Sequence, residues 1–188
     1  MKKYELTEET VIVSGKTLYR IRAVRDFGSV KAGDLGGYIE KEENLSHCGE
    51  AWVSDNAMVC GYAEVCGYAE VSDDAVVSGN AVVSGNARVC GEALVCDNAE
   101  VYGNAKVSGN AKVSGKACVC GDAEVSDTRH FFVQGPIGSR DGFVTFYRTK
   151  NNTVGVRCGC FSGSLQEFVD RVEETHGGSR YEKEYPLQ

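Results

Sequence analysis

The chain has 188 residues, of which 42% are hydrophobic, and it contains 23 glycines and only two prolines. The scarcity of proline excludes collagen-like and proline-rich disordered chains, and the apolar fraction suffices for a folded core. The formal net charge of −7 argues against nonspecific binding to nucleic acid or to acidic membranes.

The first ten residues, MKKYELTEET, lack the apolar stretch of a signal peptide. A membrane-spanning helix needs a run of about 18 apolar residues, and the sequence has none. We therefore expect a cytoplasmic protein with no membrane association. In that compartment the nine cysteines are expected to be mostly free thiols.

Two short apolar segments, residues 10–13 and 18–24, flank Ser14 and Gly15 near the start of the chain. Because serine and glycine are accommodated in tight turns, this arrangement predicts a β-hairpin. We assign residues 1–44 to an N-terminal cap that covers the open first coil of the repeat region that follows.

A six-residue repeat runs without interruption through the central region, residues 45–127. Valine recurs at every sixth position from Val53 to Val125, thirteen times in all, and alanine lies two residues before each of these valines. Glycine or aspartate lies two residues after each valine, so the unit reads A-x-V-x-G-N. The region is acidic, with four basic and twelve acidic residues.

Each hexad predicts one short strand and one corner. Alanine and valine two residues apart project from the same side of a strand. The glycine–asparagine pair that follows tolerates the positive φ of a tight corner. One unit cannot bury its valine alone, so the coils must stack on one another.

This pattern resembles that of the hexapeptide-repeat proteins, which fold as a left-handed parallel β-helix with three hexads in each triangular coil. The resemblance implies an all-β solenoid of about four coils. The segment GDLGGYIEKEENLSHCGEAWV, together with residues 18–45, is similar to the leading segment of uncharacterised bacterial and prophage hexapeptide-repeat proteins. That second similarity implies no activity.

The residue between alanine and valine points outward, and every third hexad contributes to the same face. One face then carries three consecutive apolar residues, Met58, Val76 and Leu94. A contiguous exposed apolar row usually marks an interface, and the family resemblance implies a trimer. We expect a homo-oligomer; the alternative is that the chain's own C-terminal segment covers the row.

Six of the cysteines follow the repeat and occupy the position after the valine slot, where serine is the usual alternative. They are Cys48, Cys60, Cys66, Cys90, Cys96 and Cys120. We interpret them as small residues that fill space near a corner. Cys158 and Cys160 share a strand face, but no second pair of cysteines or histidines lies nearby in sequence, so we predict no metal site and no cofactor.

Many hexapeptide-repeat proteins are acyltransferases that use a histidine as general base and an inserted loop for the acceptor. This chain has three histidines, His47, His130 and His176, all outside the regular hexads, and no insertion interrupts the repeat. The carbonic anhydrases that share the fold need three histidine ligands, which these positions do not supply. The sequence therefore favours a non-catalytic protein.

After Asp127 the repeat stops, and residues 128–188 predict a small α+β module. Residues 128–133, 143–147 and 153–158 are predicted strands, separated by the turn-rich stretches QGPIGSRDG and TKNNT. The capping-box sequence at residues 164–167 predicts a helix that ends at the two glycines 177–178. A unit of this size is expected to dock on the last coil.

Two loops of this module, residues 135–140 and 158–164, suggest an anion site. The second leads into a helix N-terminus, where free N–H groups and a partial positive charge favour an anion. Arginine guanidinium groups can add bidentate hydrogen bonds. We predict a phosphate-bearing, nucleotide-like ligand; the alternative is an ordinary capped helix with solvated arginines. The predicted ligand-binding residues are Ser139, Arg140, Arg157, Gly163 and Ser164.

These features favour a non-catalytic, oligomeric β-helix binding protein. If the chain has a phage or prophage origin, as the resemblance implies, its expected role is to sequester a host nucleotide signal or to inhibit a host defence protein. The alternatives are a structural or assembly protein without a small-molecule ligand, and an acyltransferase-like enzyme.

Overall fold

The computed structural model describes residues 2–185 and confirms the predicted fold class. It shows a three-sided parallel β-solenoid, with antiparallel strands at its start and an antiparallel sheet and helix at its end. Within residues 2–185, no helix has the length and apolar character needed to cross a membrane.

The chain begins with an antiparallel hairpin, as predicted, followed by a third strand. These are β1 (Tyr4–Val13), β2 (Lys16–Ala23) and β3 (Leu35–Ile39). The hairpin turns at Ser14 and Gly15, both of which have positive φ.

Thirteen two-residue strands form the walls of the solenoid. They are β4 (Trp52–Val53), β5 (Met58–Val59), β6 (Glu64–Val65), β7 (Glu70–Val71), β8 (Val76–Val77), β9 (Val82–Val83), β10 (Arg88–Val89), β11 (Leu94–Val95), β12 (Glu100–Val101), β13 (Lys106–Val107), β14 (Lys112–Val113), β15 (Cys118–Val119) and β16 (Glu124–Val125).

Every third strand pairs in parallel, which confirms three hexads in each coil. Arg88 pairs with Glu70 on one side and with Lys106 on the other, a spacing of three hexads each way. The first face contains β4, β7, β10, β13 and β16; the second contains β5, β8, β11 and β14; the third contains β6, β9, β12 and β15.

The alanines and valines of the repeat fill the interior. Each of the thirteen valines has 0% exposure, and the alanines have at most 2%. Full burial of a valine contributes roughly 1.5–3 kcal/mol, so this column of side chains dominates the stability of the solenoid. The residue between them points outward, as predicted.

The corners form at the glycine or aspartate of each hexad. Asp73 and Asp97 adopt left-handed backbone conformations with φ of 59° and 62°. The carboxylate of Asp73 accepts a hydrogen bond from the Gly91 amide at 2.8 Å, on the next coil. Asp127 instead has φ of −149° and caps a 3₁₀ helix, Thr128–His130, so the chain leaves the solenoid there.

The N-terminal cap does not merely cover the solenoid, because β3 joins its second face beside β5. Tyr38 pairs with Met58, and Leu45 bridges to Val65. In both pairs the partners are two residues further apart in sequence than the partners in the regular coils. The 3₁₀ helix Glu42–Asn44 precedes Leu45, and the two extra residues lie between Leu45 and Trp52, which pairs with Glu70 at the regular spacing. At Gly37 an added Cβ would lie only 2.5 Å from the Ala57 carbonyl oxygen, which explains why glycine is needed there.

The C-terminal module contains a four-stranded antiparallel sheet and one helix. The strands are β17 (Phe131–Ile137), β18 (Gly142–Arg148), β19 (Val154–Cys158) and β20 (Phe161–Ser164), and the helix is α1 (Leu165–His176). The capping box that predicts the start of α1 is present. Three expectations were wrong. Residues 128–130 are a 3₁₀ helix rather than a strand, residues 134–137 belong to β17 rather than to a turn, and residues 161–164 form β20 rather than part of a loop.

The module docks on the last coil, mainly through β18. The Thr145 hydroxyl accepts a hydrogen bond from the Cys118 amide at 2.9 Å. The Lys150 amide donates to the Asp122 carbonyl at 3.0 Å, and Tyr147, 5% exposed, packs into the solenoid core. β18 therefore closes the end of the solenoid that β16 leaves open.

Candidate functional site

A cavity of about 330 Å³ lies between the sheet and the helix of the C-terminal module. We call it the C-terminal cavity. Its apolar floor comes from the module's own core, namely Ile137, Phe161, Phe168 and Val172. The Phe161 and Phe168 rings lie 5.4 Å apart in a tilted arrangement, so the floor presents aromatic surface.

The polar rim of the C-terminal cavity carries two arginines and a histidine. Arg140 comes from the β17–β18 turn, and Arg171 and His176 come from α1. No aspartate or glutamate belongs to its lining within the described residues. Arg171 reaches one carboxylate outside the cavity, Glu174 at 3.5 Å, an exposed pair that contributes little to stability.

His176 is held by the aromatic ring of Tyr185. The two rings stack with centroids 5.4 Å apart, and the Tyr185 hydroxyl lies 3.3 Å from Nε2 of His176. In the sequence, this residue stands out only as one of three histidines outside the regular hexads. The structure turns it toward the same cavity as Arg140.

Of the five predicted ligand residues, only Ser139 and Arg140 line the C-terminal cavity. Arg157 lines a neighbouring cleft of about 450 Å³ between the module and the third face of the solenoid. There its guanidinium lies 5.9 Å from the centroid of the Tyr102 ring and donates to the Phe161 carbonyl at 3.4 Å.

The helix N-terminus is already supplied with an anion of its own. The Glu167 carboxylate accepts hydrogen bonds from the Ser164 amide at 2.7 Å and from its hydroxyl at 2.8 Å. These bonds hold the pKa of Glu167 below its usual value. The same carboxylate oxygen lies 2.8 Å from the position that a Cβ on Gly163 would take. Gly163 and Ser164 therefore form a closed cap, separate from Arg140.

A row of outward side chains runs along the second face of the solenoid. Met58, Val76 and Leu94 pair in register on β5, β8 and β11, as the repeat predicts. Tyr38 extends the row at the cap end, and Lys112 ends it toward the module. The main contacts of the module are with β15 and β16, so it does not lie over these strands.

A cluster of thiol and hydroxyl groups lies at the junction of the solenoid and the module. We call it the junction cluster. Cys120, 2% exposed, has its sulfur 3.4 Å from the Tyr147 hydroxyl and 3.8 Å from the Ser162 hydroxyl. The Cys118 sulfur lies 3.4 Å from the Tyr102 hydroxyl, within hydrogen-bond distance.

The two thiols of the junction cluster influence each other. A hydrogen bond from Cys118, assisted by those of Tyr147 and Ser162, lowers the pKa of Cys120 against the opposing effect of burial. The same contact, together with burial, raises the pKa of Cys118. The repeat places Cys118 in an outward slot and Cys120 in the slot after valine, so the sequence alone does not mark them as a pair.

The three histidines lie in three different places. His47 stacks on Tyr4 in the cap with ring centroids 4.4 Å apart, and His130 accepts a hydrogen bond from the Ser126 amide at 3.2 Å. His176 lies at the C-terminal cavity. In the described part of the chain, no three residues of the types His, Cys, Asp or Glu converge as a metal site.

The repeat itself matches a known family. The family model described as YdcK Beta solenoid repeat matches residues 69–85, which lie wholly within the regular hexads. The chain is a β-solenoid repeat protein. No curated protein matches this solenoid chain. The match covers structural hexads and none of the residues of the C-terminal cavity.

Proposed function

We propose that this solenoid protein is a non-catalytic binding protein whose C-terminal cavity holds a phosphate-bearing ligand. The observation that carries the proposal is the combination of two arginines and a histidine above an aromatic floor in one cavity. A phosphate would bind Arg140 and Arg171, since guanidinium groups bind phosphate oxygens in bidentate geometry. A planar apolar body would lie on Phe161 and Phe168.

The size of the cavity favours a mononucleotide over a larger ligand. Its volume of about 330 Å³ lies at the lower end of the roughly 300–1,000 Å³ typical of ligand sites. The charge distribution supports the same location, because the repeat region is strongly acidic whereas the module carries eight basic and seven acidic residues. An anion therefore meets less repulsion at the module than along the solenoid.

Calorimetric titration with mononucleotides, cyclic nucleotides and inorganic phosphate tests this proposal. Each charged hydrogen bond contributes about 1.5–3 kcal/mol, and about 1.4 kcal/mol corresponds to tenfold in affinity. We expect Arg140→Ala and Arg171→Ala each to weaken binding by about tenfold or more. Arg157→Ala is the matched control, because this arginine lies in the neighbouring cleft, and it should bind as the native protein does.

Two outcomes would contradict the ligand proposal. One is the absence of heat with every compound tested. The other is equal loss of binding in Arg157→Ala and Arg140→Ala, which would favour the site predicted from sequence over the C-terminal cavity. The first outcome would leave a host protein as the better partner.

The apolar row on the second face supports self-association, and we include a homotrimer in the proposal. Met58, Val76 and Leu94 form a continuous row, whereas the main contacts of the described part of the module are with β15 and β16 on the other two faces. Contiguous apolar patches of this kind mark interfaces. The resemblance to hexapeptide-repeat proteins, rather than the geometry, supports the number three.

Changing Met58, Val76 and Leu94 together to lysine should yield a folded monomer of about 20.2 kDa. Lysines in the row would repel one another across an interface and remain solvated in a monomer. Sedimentation velocity measures the mass. The matched control places three lysines on the third face, at Glu64, Val82 and Glu100, and should keep the native mass. A native chain that already sediments as a monomer would contradict the prediction.

The similarity of residues 18–45 and 33–53 to uncharacterised bacterial and prophage hexapeptide-repeat proteins supports a biological role for such a binder. A phage-encoded oligomer with nucleotide-sized cavities would sequester a host nucleotide signal or inhibit a host defence component. The alternative of a purely structural assembly protein rests on the apolar row alone. The acyltransferase alternative has less support, because the histidines lie apart and no loop interrupts the hexads.

A further inference from the structure

The junction cluster combines two cysteines in a way that the other repeat cysteines do not. Cys118 and Cys120 flank the inward Val119, so alternation along the strand places both sulfurs on the outer side. For each of the other cysteines in the position after valine, the outward residue two positions earlier is not a cysteine. For Cys96, that residue is Leu94. Only here does the repeat bring two thiols to one side of one strand.

Hydroxyl groups from the solenoid and from the module lie near these two sulfurs. Tyr102 lies within hydrogen-bond distance of Cys118, and Tyr147 and Ser162 lie within reach of Cys120. Hydroxyl donors around a coordinating sulfur act as outer-shell partners, which orient the ligand and balance its negative charge. The groups come from the solenoid, β18 and β20, so the site exists only when the module is docked.

Positively charged side chains near the junction cluster would balance the negative charge of a two-thiolate complex. A complex of one monovalent cation with two thiolates has a net charge of −1. Arg157 and Lys116, together with one carboxylate, Glu100, line the cleft that also reaches Cys118, and Arg157 lies over the ring of Tyr102. This cleft gives an ion a route from solvent to Cys118. Cys120, 2% exposed, lies deeper in the junction cluster than Cys118.

The number of ligands selects the class of metal. Structural zinc sites need four ligands, usually cysteine and histidine. In the described residues no third His, Cys, Asp or Glu joins this pair, which disfavours zinc, calcium and magnesium. Soft thiolate ligands select Cu(I) among the common biological metals. We propose that Cys118 and Cys120 form a two-coordinate binding site for a soft monovalent cation of the Cu(I) type.

Binding at this site changes no oxidation state. One Cu(I) ion forms two bonds to sulfur, and the protons of the two thiols pass to solvent. No electron is transferred, and the ion enters already reduced.

Anaerobic titration of the full, reduced chain with Cu(I) against a chromogenic Cu(I) chelator tests the inference. The native protein should remove one equivalent of Cu(I) from the chelator, and its thermal unfolding midpoint should rise, because ligands that bind the folded state stabilise it. Cys118→Ser and Cys120→Ser should each lose this equivalent. Tyr147→Phe should keep the thiols and weaken affinity by roughly tenfold, since outer-shell changes typically cost 10- to 100-fold.

Two control variants make the experiment decisive even if Cys120→Ser perturbs docking of the module. Cys96→Ser removes a thiol from the same slot of another hexad and should bind as the native chain does. The double variant Cys158→Ser/Cys160→Ser removes the competing pair near the C-terminal cavity and should also bind normally. X-ray absorption of the native complex should show two sulfur neighbours. Three or more sulfurs, or loss of binding in the Cys158/Cys160 variant alone, would overturn the inference.

Discussion

Val89→Asp is expected to prevent the chain from folding. Val89 has 0% exposure at the centre of the solenoid, and its register partners above and below are Val71 and Val107. The substitution removes roughly 1.5–3 kcal/mol of apolar burial. It also places an unpaired carboxylate among valines, at an effective cost of several kcal/mol. The total approaches the roughly 5–15 kcal/mol by which domains are stable.

The matched control introduces the same residue one position earlier. Arg88 is exposed and pairs with Glu70 at 3.3 Å, so Arg88→Asp loses a surface ion pair worth about 0–1 kcal/mol. Soluble yield and thermal unfolding followed by circular dichroism measure both variants. Arg88→Asp should fold and unfold cooperatively. A soluble, cooperatively unfolding Val89→Asp protein would show that the valine column is not the interior.

The fold of the central region could be predicted because one local rule repeats thirteen times. Alternation fixes which residues point inward, and the glycine or aspartate of each hexad fixes the corner. No comparable rule governs the cap. The two-residue excess between Tyr38 and Met58 recurs between Leu45 and Val65 but not between Trp52 and Glu70. It therefore lies in the irregular segment between Leu45 and Trp52, where no hexad rule applies.

The ligand site was harder to predict because its residues are distant in sequence. Arg140 and Arg171 line the same cavity because α1 packs against the sheet. Strand alternation also separates Arg157 from them. Val156 is fully buried against the helix side of β19, so Arg157, the next residue, faces the solenoid and Tyr102. Arg157 is close in sequence to the start of α1, which suggested that it shares a site with Arg140. The alternation of side chains along β19 places it on the opposite side of the sheet.

The helix N-terminus illustrates a second limit. The capping box was recognised in the sequence, and the structure contains it. Its Glu167 carboxylate already accepts the Ser164 amide and hydroxyl that an external anion would use. A capping box is thus an argument against a ligand at the same helix end.

A second large effect on the free energy of unfolding is expected at the corners of the solenoid. It is tested by comparing Gly79→Ala with Gly115→Ala. Both glycines lie in the same column of corners, and both have φ of 71°. An added Cβ therefore costs about 1–2 kcal/mol of left-handed backbone strain at either position. The two positions differ in which atoms of the next coil an added Cβ would meet. A Cβ on Gly79 would lie 2.8 Å from the Asp97 nitrogen and 2.9 Å from its oxygen, whereas a Cβ on Gly115 would meet nothing within 4 Å.

Gly79→Ala should therefore lower the free energy of unfolding more than Gly115→Ala does. The contacts with Asp97 are with backbone atoms, which cannot move aside without displacing the next coil, and overpacking of this kind costs about 1–3 kcal/mol. We expect a total loss of about 2–5 kcal/mol for Gly79→Ala, against about 1–2 kcal/mol for Gly115→Ala. Urea unfolding of both variants beside the native protein measures the difference. Equal losses would mean that only backbone strain, and not the stacking of one coil on the next, requires glycine at these corners.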